Sequence, residues 1–436
     1  MMDAYYRNGE LFLNKLGLKK EDLDENAIKN NYIKPAREFL GYSNLGENAK
    51  ENEVIKLLRR YFEISGKTTS ILKSFQTSKN GKCSYCGDEG KVIENKSFIF
   101  PFERKVDSIV NENNRLAFCQ KCAFTFYSAM AYLYKKRVED KNLLFFFDSY
   151  DSQTLDSVTS EMKKLQDPSQ YMEIKSSLIK TAHPYDTMVV TIYEFIKNLY
   201  DDYRENRDTL QLNLVSLYMV HGKEQIYDYN YIDGSTFQKI SNFFFKIIDE
   251  SINIFKKIEE KKSKPINLGA KDIVFYGFFN KLITGDGELS EKTRLREMFS
   301  HSMLEGKIDF IVLNEILMEK QKNKEKLPLY YTNFINNYLE AFNLEKESFE
   351  RINSLGYSLG KSMKGTNLEN YIWEIFRSRG EEQFLNSLVE LQLKLQRTID
   401  LRPINEYENW KEAKAILLNG IVNALYGGEK KNEQSN

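Results

Sequence analysis

Gly81-Lys82-Cys83-Ser84-Tyr85-Cys86-Gly87 and Phe118-Cys119-Gln120-Lys121-Cys122 hold all four cysteines of this chain, as two Cys-x-x-Cys pairs with 32 residues between Cys86 and Cys119. Two residues between thiols let both sulfurs of a tight turn point at one ion, and a tetrahedral zinc shell takes four such ligands. Gly87, directly after the first pair, supplies the positive φ that a knuckle turn of this kind needs. The pattern predicts a structural zinc site formed by Cys83, Cys86, Cys119 and Cys122.

Other uses of paired cysteines fit less well. A chain of 436 residues with four cysteines has no need of disulfide staples, and no secretory signal precedes them. A redox dithiol would account for one pair but not two. A catalytic zinc needs an open coordination position, which a shell of four cysteines closes. A zinc-bearing nuclease of the HNH type would place histidines between the pairs, whereas His183, His221 and His301 all lie beyond them.

Length and composition set the frame. A chain this long predicts two or three domains. The apolar fraction of 41% supports a real core, yet the longest clean apolar block, Leu143 to Phe147, is five residues and far too short to span a membrane. The start, Met1-Met2-Asp3-Ala4-Tyr5-Tyr6, has no signal-peptide core, so the expected location is the cytoplasm. The 63 basic and 63 acidic residues cancel, so any nucleic-acid role must be local or shared with partners.

Periodicity predicts a mainly α protein with a smaller mixed α+β N-terminal part. Residues 5–65 read as helices, including an apolar face at Val54, Leu57, Leu58, Tyr61 and Phe62. Ser97 to Phe100 and Leu143 to Phe147 read as strands, and a helix is expected after Cys122. Alternation at Leu210, Leu212 and Leu214, and from Tyr227 to Tyr231, predicts two more strands. Phe237, Ile240, Phe243, Phe244, Ile247, Ile248, Ile254, Phe255 and Ile258 trace one long helix, and everything from about 267 onward reads as helical. These features divide the chain into an α+β domain, 1–235, with an inserted zinc module at about 80–125, and a helical domain, 236–436, that ends in a bundle.

No catalytic constellation stands out. Ser65-Gly66-Lys67-Thr68-Thr69 suggests a phosphate loop, but Tyr61 occupies the position where that motif requires glycine. The local charge is more informative: residues 51–140 carry 16 Lys and Arg against 11 Asp and Glu. Candidate nucleic-acid contacts are Lys67, Lys73, Gln76, Lys79, Asn80 and Lys82 before or at the first cysteine pair, Arg104, Lys105 and Arg115 between the pairs, and Lys121 inside the second. Phe75, Tyr85 and Phe102 suit base stacking. The same residues equally suit a small module solvated by lysines around an aromatic core.

With its helical start, basic Ser/Thr segment, Gly81-Lys-Cys-Ser-Tyr-Cys86-Gly, Phe118-Cys-Gln-Lys-Cys122, Leu-Leu-Phe-Phe-Phe-Asp strand and helical second half, the chain resembles the CRISPR-associated CXXC-CXXC family. This is the zinc-bearing large subunit of type I-B (and related I-A) Cascade. The resemblance implies a non-enzymatic subunit of an RNA-guided antiviral surveillance complex. Such a subunit checks the target-flanking motif, stabilises the R-loop and docks the helicase-nuclease. Its implied partners are CRISPR RNA, target DNA and the other Cascade subunits, with no membrane. The part from about 298 to 436 resembles the family's small-subunit bundle. The motif transfers residue by residue only to the four cysteines. Competing expectations are a stand-alone zinc-ribbon nucleic-acid-processing enzyme and a zinc-stabilised scaffold of another assembly.

Overall fold

The computed structural model describes residues 2–24, 27, 31, 79–93, 117–138, 141–166, 174–175, 177–205, 210, 212–220, 226–260, 268–282, 288–322, 329–342 and 346–426. The expected helix over 54–62 and the expected strand over 97–100 lie outside these residues. The described residues are mostly helical, with two small antiparallel sheets built from strands between Lys79 and Ile232. They form two units, one of residues 1–176 and 210–237, the other of 177–209 and 238–436. Residues 177–209 lie in the stretch read from sequence as N-terminal, yet they cluster with the second unit.

The first unit is built around helix α1 (Met2–Lys15), which has Asp3 in its first turn and Lys15 in its last, as the helix dipole favours. A three-stranded sheet of β1 (Lys79–Lys82), β2 (Glu89–Ile93) and β3 (Phe118–Cys119) carries the cysteines and leads into α2 (Gln120–Ser128). The second sheet is a meander of β4 (Tyr134–Val138), β5 (Lys141–Asp148), β6 (Asn213–Val220) and β7 (Ile226–Ile232). All five residues of the apolar block Leu143–Phe147 in β5 are buried, so a continuous apolar run, and not alternation, marks this strand. Phe146 meets Tyr5 of α1 edge-on at 5.4 Å. Phe145, on the opposite side of the strand, packs on Tyr134, and the Tyr134 hydroxyl donates to the Thr159 carbonyl of α3 (Ser152–Leu165).

Two polar links fix α1 to this sheet. The Arg7 guanidinium donates to both carboxylate oxygens of Asp148, with Nε to Oδ1 at 2.8 Å, and the Asn8 amide donates to the Phe147 carbonyl at 2.8 Å. Charged, two-pronged pairs of this geometry are the stronger kind of hydrogen bond.

The second unit is helical. Its helices are α4 (Pro184–Tyr203), α5 (Gly234–Glu260, entering the unit at Gln238), α6 (Ile273–Lys281), α7 (Leu289–Lys292), α8 (Arg294–Leu304), α9 (Phe310–Lys322) and α10 (Leu329–Ala341). They are followed by α11 (Lys346–Met363), α12 (Ile372–Arg377), α13 (Glu381–Leu395), α14 (Arg402–Asn405) and α15 (Trp410–Tyr426). Rings from four helices make the first core: Tyr193 stacks on Phe275 at 3.7 Å, Phe278 stacks on Phe334 at 3.7 Å, and Phe243 meets Phe334 edge-on at 5.0 Å. No helix among the described residues is long and apolar enough to cross a membrane.

Helices α4 and α8 are joined by a buried ion pair. Arg296 and Asp186 are both wholly buried and 2.6 Å apart, and removal of one partner of such a pair costs roughly 3–5 kcal/mol. Glu297 accepts from the backbone N–H groups of Tyr185 and Asp186 at the start of α4, and burial pushes its carboxyl up to about 8. His183 occupies the N-cap of α4, with its ring nitrogen 2.7 Å from the Ser290 carbonyl. Met298 lies on α8, so the helix at the head of the expected 298–436 bundle packs against α4.

Helices α11 and α15 pack where glycines let the backbones touch. A Cβ on Gly356 would fall 2.2 Å from the Leu417 carbonyl oxygen, and one on Gly420 would fall 2.3 Å from that of Asn353. A backbone oxygen cannot rotate away, so Gly420→Ala must separate the helices. We predict that it destabilises the protein by about 1–3 kcal/mol despite alanine's better helix propensity, measured by urea unfolding. An unchanged midpoint would contradict this packing.

Candidate metal centre

The hairpin of β1 and β2 pairs Lys79 with Val92 and Lys82 with Glu89, and the first Cys-x-x-Cys forms its turn. The Gly87 N–H donates to the Cys83 carbonyl at 3.0 Å, the Cys83 N–H donates to the Asp88 backbone carbonyl at 2.8 Å, and Gly87 takes φ +80° as its place in the turn requires. Strand β3 pairs Val92 with Cys119 and Ile93 with Phe118, which brings the second cysteine pair beside the first. Ser84 then stitches the two: its N–H donates to the Ala117 carbonyl at 2.7 Å, and its Oγ accepts from the Ala117 N–H at 2.9 Å.

The helix expected after Cys122 starts earlier, at Gln120, because Cys119 acts as its N-cap. The Cys119 sulfur accepts from the Cys122 N–H at 3.5 Å, in the role a serine or aspartate oxygen usually fills. The positive end of α2 therefore lies at the sulfurs, which favours thiolate.

The four Sγ atoms all lie within 4.8 Å of one another, and those of Cys86 and Cys119 are 3.9 Å apart. A tetrahedron of sulfurs at about 2.3 Å from a zinc ion has edges of about 3.8 Å. All four cysteines are free thiols, and 3.9 Å far exceeds a disulfide bond of about 2.05 Å. Cys83 and Cys122 are buried, while Cys86 and Cys119 are partly exposed. The site can hold one metal ion, and four thiolates are a soft donor set of the kind that takes zinc, copper(I) or iron.

The charge of the cluster bears on its capacity to hold an ion. A hydrogen bond from the Cys122 thiol and the Cys122 backbone N–H hold the Cys119 thiol down at about 5. Burial pushes Cys86 up to about 11, and the bond that Cys122 gives to Cys119, with burial, pushes Cys122 higher still. Without a cation the Cys119 sulfur ionises most readily, while Cys86 and Cys122 favour their protonated forms. A bound dication reverses this and releases those protons.

The module has little core of its own: β1 is exposed throughout, and β2 buries only Val92 and Ile93. Rings supply the rest. Phe126 of α2 meets Phe118 at 5.2 Å, Tyr85 at 5.1 Å and Tyr6 of α1 at 5.2 Å, while Tyr6 stacks on Tyr85 at 4.2 Å. Such ring pairs contribute roughly 0.5–1.5 kcal/mol each beyond the area they bury. Tyr85, a candidate for base stacking, thus has a ring engaged in the module's own core.

Lys79, Asn80 and Lys82 are exposed on β1, but the register does not put them together. Lys79 shares a face with Gly81, whereas Asn80 and Lys82 share the other. Lys91, paired with Asn80 across the hairpin, is exposed on the second face and was missed by sequence reasoning. No alternation marks it, since β2 is exposed over Glu89–Lys91 and buried at both Val92 and Ile93. Lys121 is half-buried, and its ammonium donates to the Glu21 carbonyl. Lys67, Lys73, Gln76, Arg104, Lys105 and Arg115 lie outside the described residues, as do Phe75 and Phe102.

Comparison with known proteins finds no matching family model, no similar curated protein and no similar solved structure.

Helix α1 meets α2 with backbone touching backbone, since a Cβ on Gly9 would fall 1.9 Å from the Thr125 carbonyl oxygen. Gly9→Ala should push α2, with Cys122 on it, away from the first knuckle. The expected outcome is a loss of about 1–3 kcal/mol in thermal unfolding together with a lower metal content per purified chain. Wild-type metal content with unchanged stability would show that α1 does not position the centre.

Proposed function

We propose that the chain is the large subunit of a type I-B Cascade, a CRISPR RNA-guided surveillance complex of the cytoplasm, and that Cys83, Cys86, Cys119 and Cys122 hold one structural Zn²⁺. The observation that carries the reading is the closed quartet of sulfurs assembled from two knuckles. A shell of four protein ligands leaves no position for a reacting water, so the metal contributes folding energy and not chemistry. On this reading the chain is a binding subunit that checks the target-flanking motif, stabilises the R-loop and presents a docking surface for the helicase-nuclease. CRISPR RNA and the other Cascade subunits are its standing partners, and target DNA is its ligand.

The hairpin beside the metal centre supports a local contact with nucleic acid. Asn80, Lys82 and Lys91 share one exposed face with Glu89, which pairs with Lys82 across the hairpin, so two lysines stand there against one carboxylate. A neutral chain with a local basic face suits a subunit that shares a duplex with its neighbours. The face with two lysines is the better candidate for phosphate contact, and Lys79 on the reverse face serves as a control.

The test is to recover a tagged chain from its native operon, analyse its metal and RNA, and measure target binding by the complex. One zinc per chain and a small RNA with repeat-derived ends are expected. Lys82→Glu with Lys91→Glu should keep both yet weaken target binding and flatten its salt dependence, because lost phosphate contacts release fewer counterions. Lys79→Glu should do less. Zinc without RNA or partner subunits would overturn the Cascade reading, and unchanged affinity and salt slope in the double variant would overturn the hairpin's role.

A further inference from the structure

Two carboxylates and one guanidinium meet where α8 packs on the start of α4. Asp186 of α4 and Arg296 of α8 are both wholly buried, and Arg296 Nε donates to the Asp186 carboxylate at 2.8 Å. The Arg296 Nη2 also donates to the Lys180 carbonyl, while Nη1 has no hydrogen-bond partner among the described residues. The guanidinium is thus committed to one carboxylate. Glu297, the next residue of α8, turns its oxygens elsewhere: Oε1 accepts from the Tyr185 N–H at 3.1 Å and Oε2 from the Asp186 N–H at 2.7 Å.

Glu297 therefore caps α4 from 111 positions along the chain, where the N-cap residue His183 makes no side-chain bond of its own. Counted as charges, the cluster sets two anions against one cation, so one negative charge is left over. A buried surplus charge is relieved by taking up a proton. Glu297 is the site for it, since Asp186 already has the guanidinium. Burial pushes the Glu297 carboxyl up to about 8, and the charge of Asp186 adds to this against the pull of the two N–H groups and Arg296. His183 is a second titrating group of the junction; it acts on Asp186, with its Nε2 2.7 Å from the Ser290 carbonyl of α7. His301, one turn along α8, has its ring centre 4.3 Å from that of Tyr185 and pairs with Glu305.

We propose that the α4–α8 junction is a proton-operated clasp: Glu297 holds one proton in the closed state, and its loss loosens the first turns of α4 from α8. A carboxyl whose pKa is higher in the folded chain than in the unfolded one stabilises the fold at low pH. That contribution is lost as pH rises through the folded value. For Glu297 the window runs from the ordinary 4.5 to about 8. Opening releases one proton within it, so the clasp weakens by up to about tenfold per pH unit. The clasp fastens residues 177–209 within the helical unit, and the proton sets how firmly they are held. The inference depends on neither the metal centre nor the nucleic-acid reading.

Hydrogen exchange of the full chain tests this, read by mass spectrometry on peptides from the start of α4 and corrected for the intrinsic pH dependence of exchange. Relative to peptides from α15, protection over 184–190 should fall by up to about tenfold per unit between about pH 6 and 8, then level off. Glu297→Gln keeps an acceptor oxygen for α4 without a titrating group, and should flatten the profile. His183→Gln removes the neighbouring titrating group and should leave the slope in place. A flat wild-type profile would overturn the proposal, whether or not the variants fold. A slope that survives Glu297→Gln, or that disappears with His183→Gln, would give the proton to another group and overturn it as well.

Discussion

The convergence of four sulfurs within 4.8 Å is the constraint on which the N-terminal unit depends. Sulfurs that close repel one another as thiolates, and the cluster is poised, with Cys119 ready to ionise and Cys86 and Cys122 held protonated. The sheet that carries them is too small to stand alone, since most of β1 and β2 faces water. The aromatic group of Tyr6, Tyr85, Phe118 and Phe126 clamps the module to α1, and the four sulfurs are placed so that one metal ion can make up the rest of the deficit.

Helix α1 is the shared element of this unit. One turn of it, Tyr5 to Asn8, reaches both sheets: Tyr6 stacks on the knuckle residue Tyr85, while Tyr5, Arg7 and Asn8 engage Phe146, Asp148 and the Phe147 carbonyl of β5. Gly9 completes the turn by letting α2 approach to backbone contact. Four consecutive side chains thus join the metal module to the larger sheet.

What was legible in the sequence follows from range. Cysteine spacing, the apolar block at 143–147, the strand at 226–232 and the 3.6-residue stripe of α5 are local patterns, and each has its counterpart in the structure. What was hidden depends on partners far along the chain. Arg7 and Asp148 are 141 residues apart, so nothing local marks α1 as a bridge. The placement of α4 in the second unit follows from Arg296, a residue 110 positions away, meeting Asp186. At the site, composition suggested a basic surface, but strand register decides which lysines share a face, and it separates Lys79 from Lys82. The early start of α2 escaped notice because a cysteine sulfur stands where a capping oxygen is normally sought.

The central claim is that two knuckles enclose one zinc ion in an all-sulfur shell. Zinc-edge X-ray absorption on the purified full chain tests it most directly. The account predicts one zinc per chain with four sulfur scatterers at about 2.3 Å and no nitrogen or oxygen in the shell. A mixed shell with a light-atom scatterer at about 2.0 Å, or a chain purified without stoichiometric metal, would contradict it.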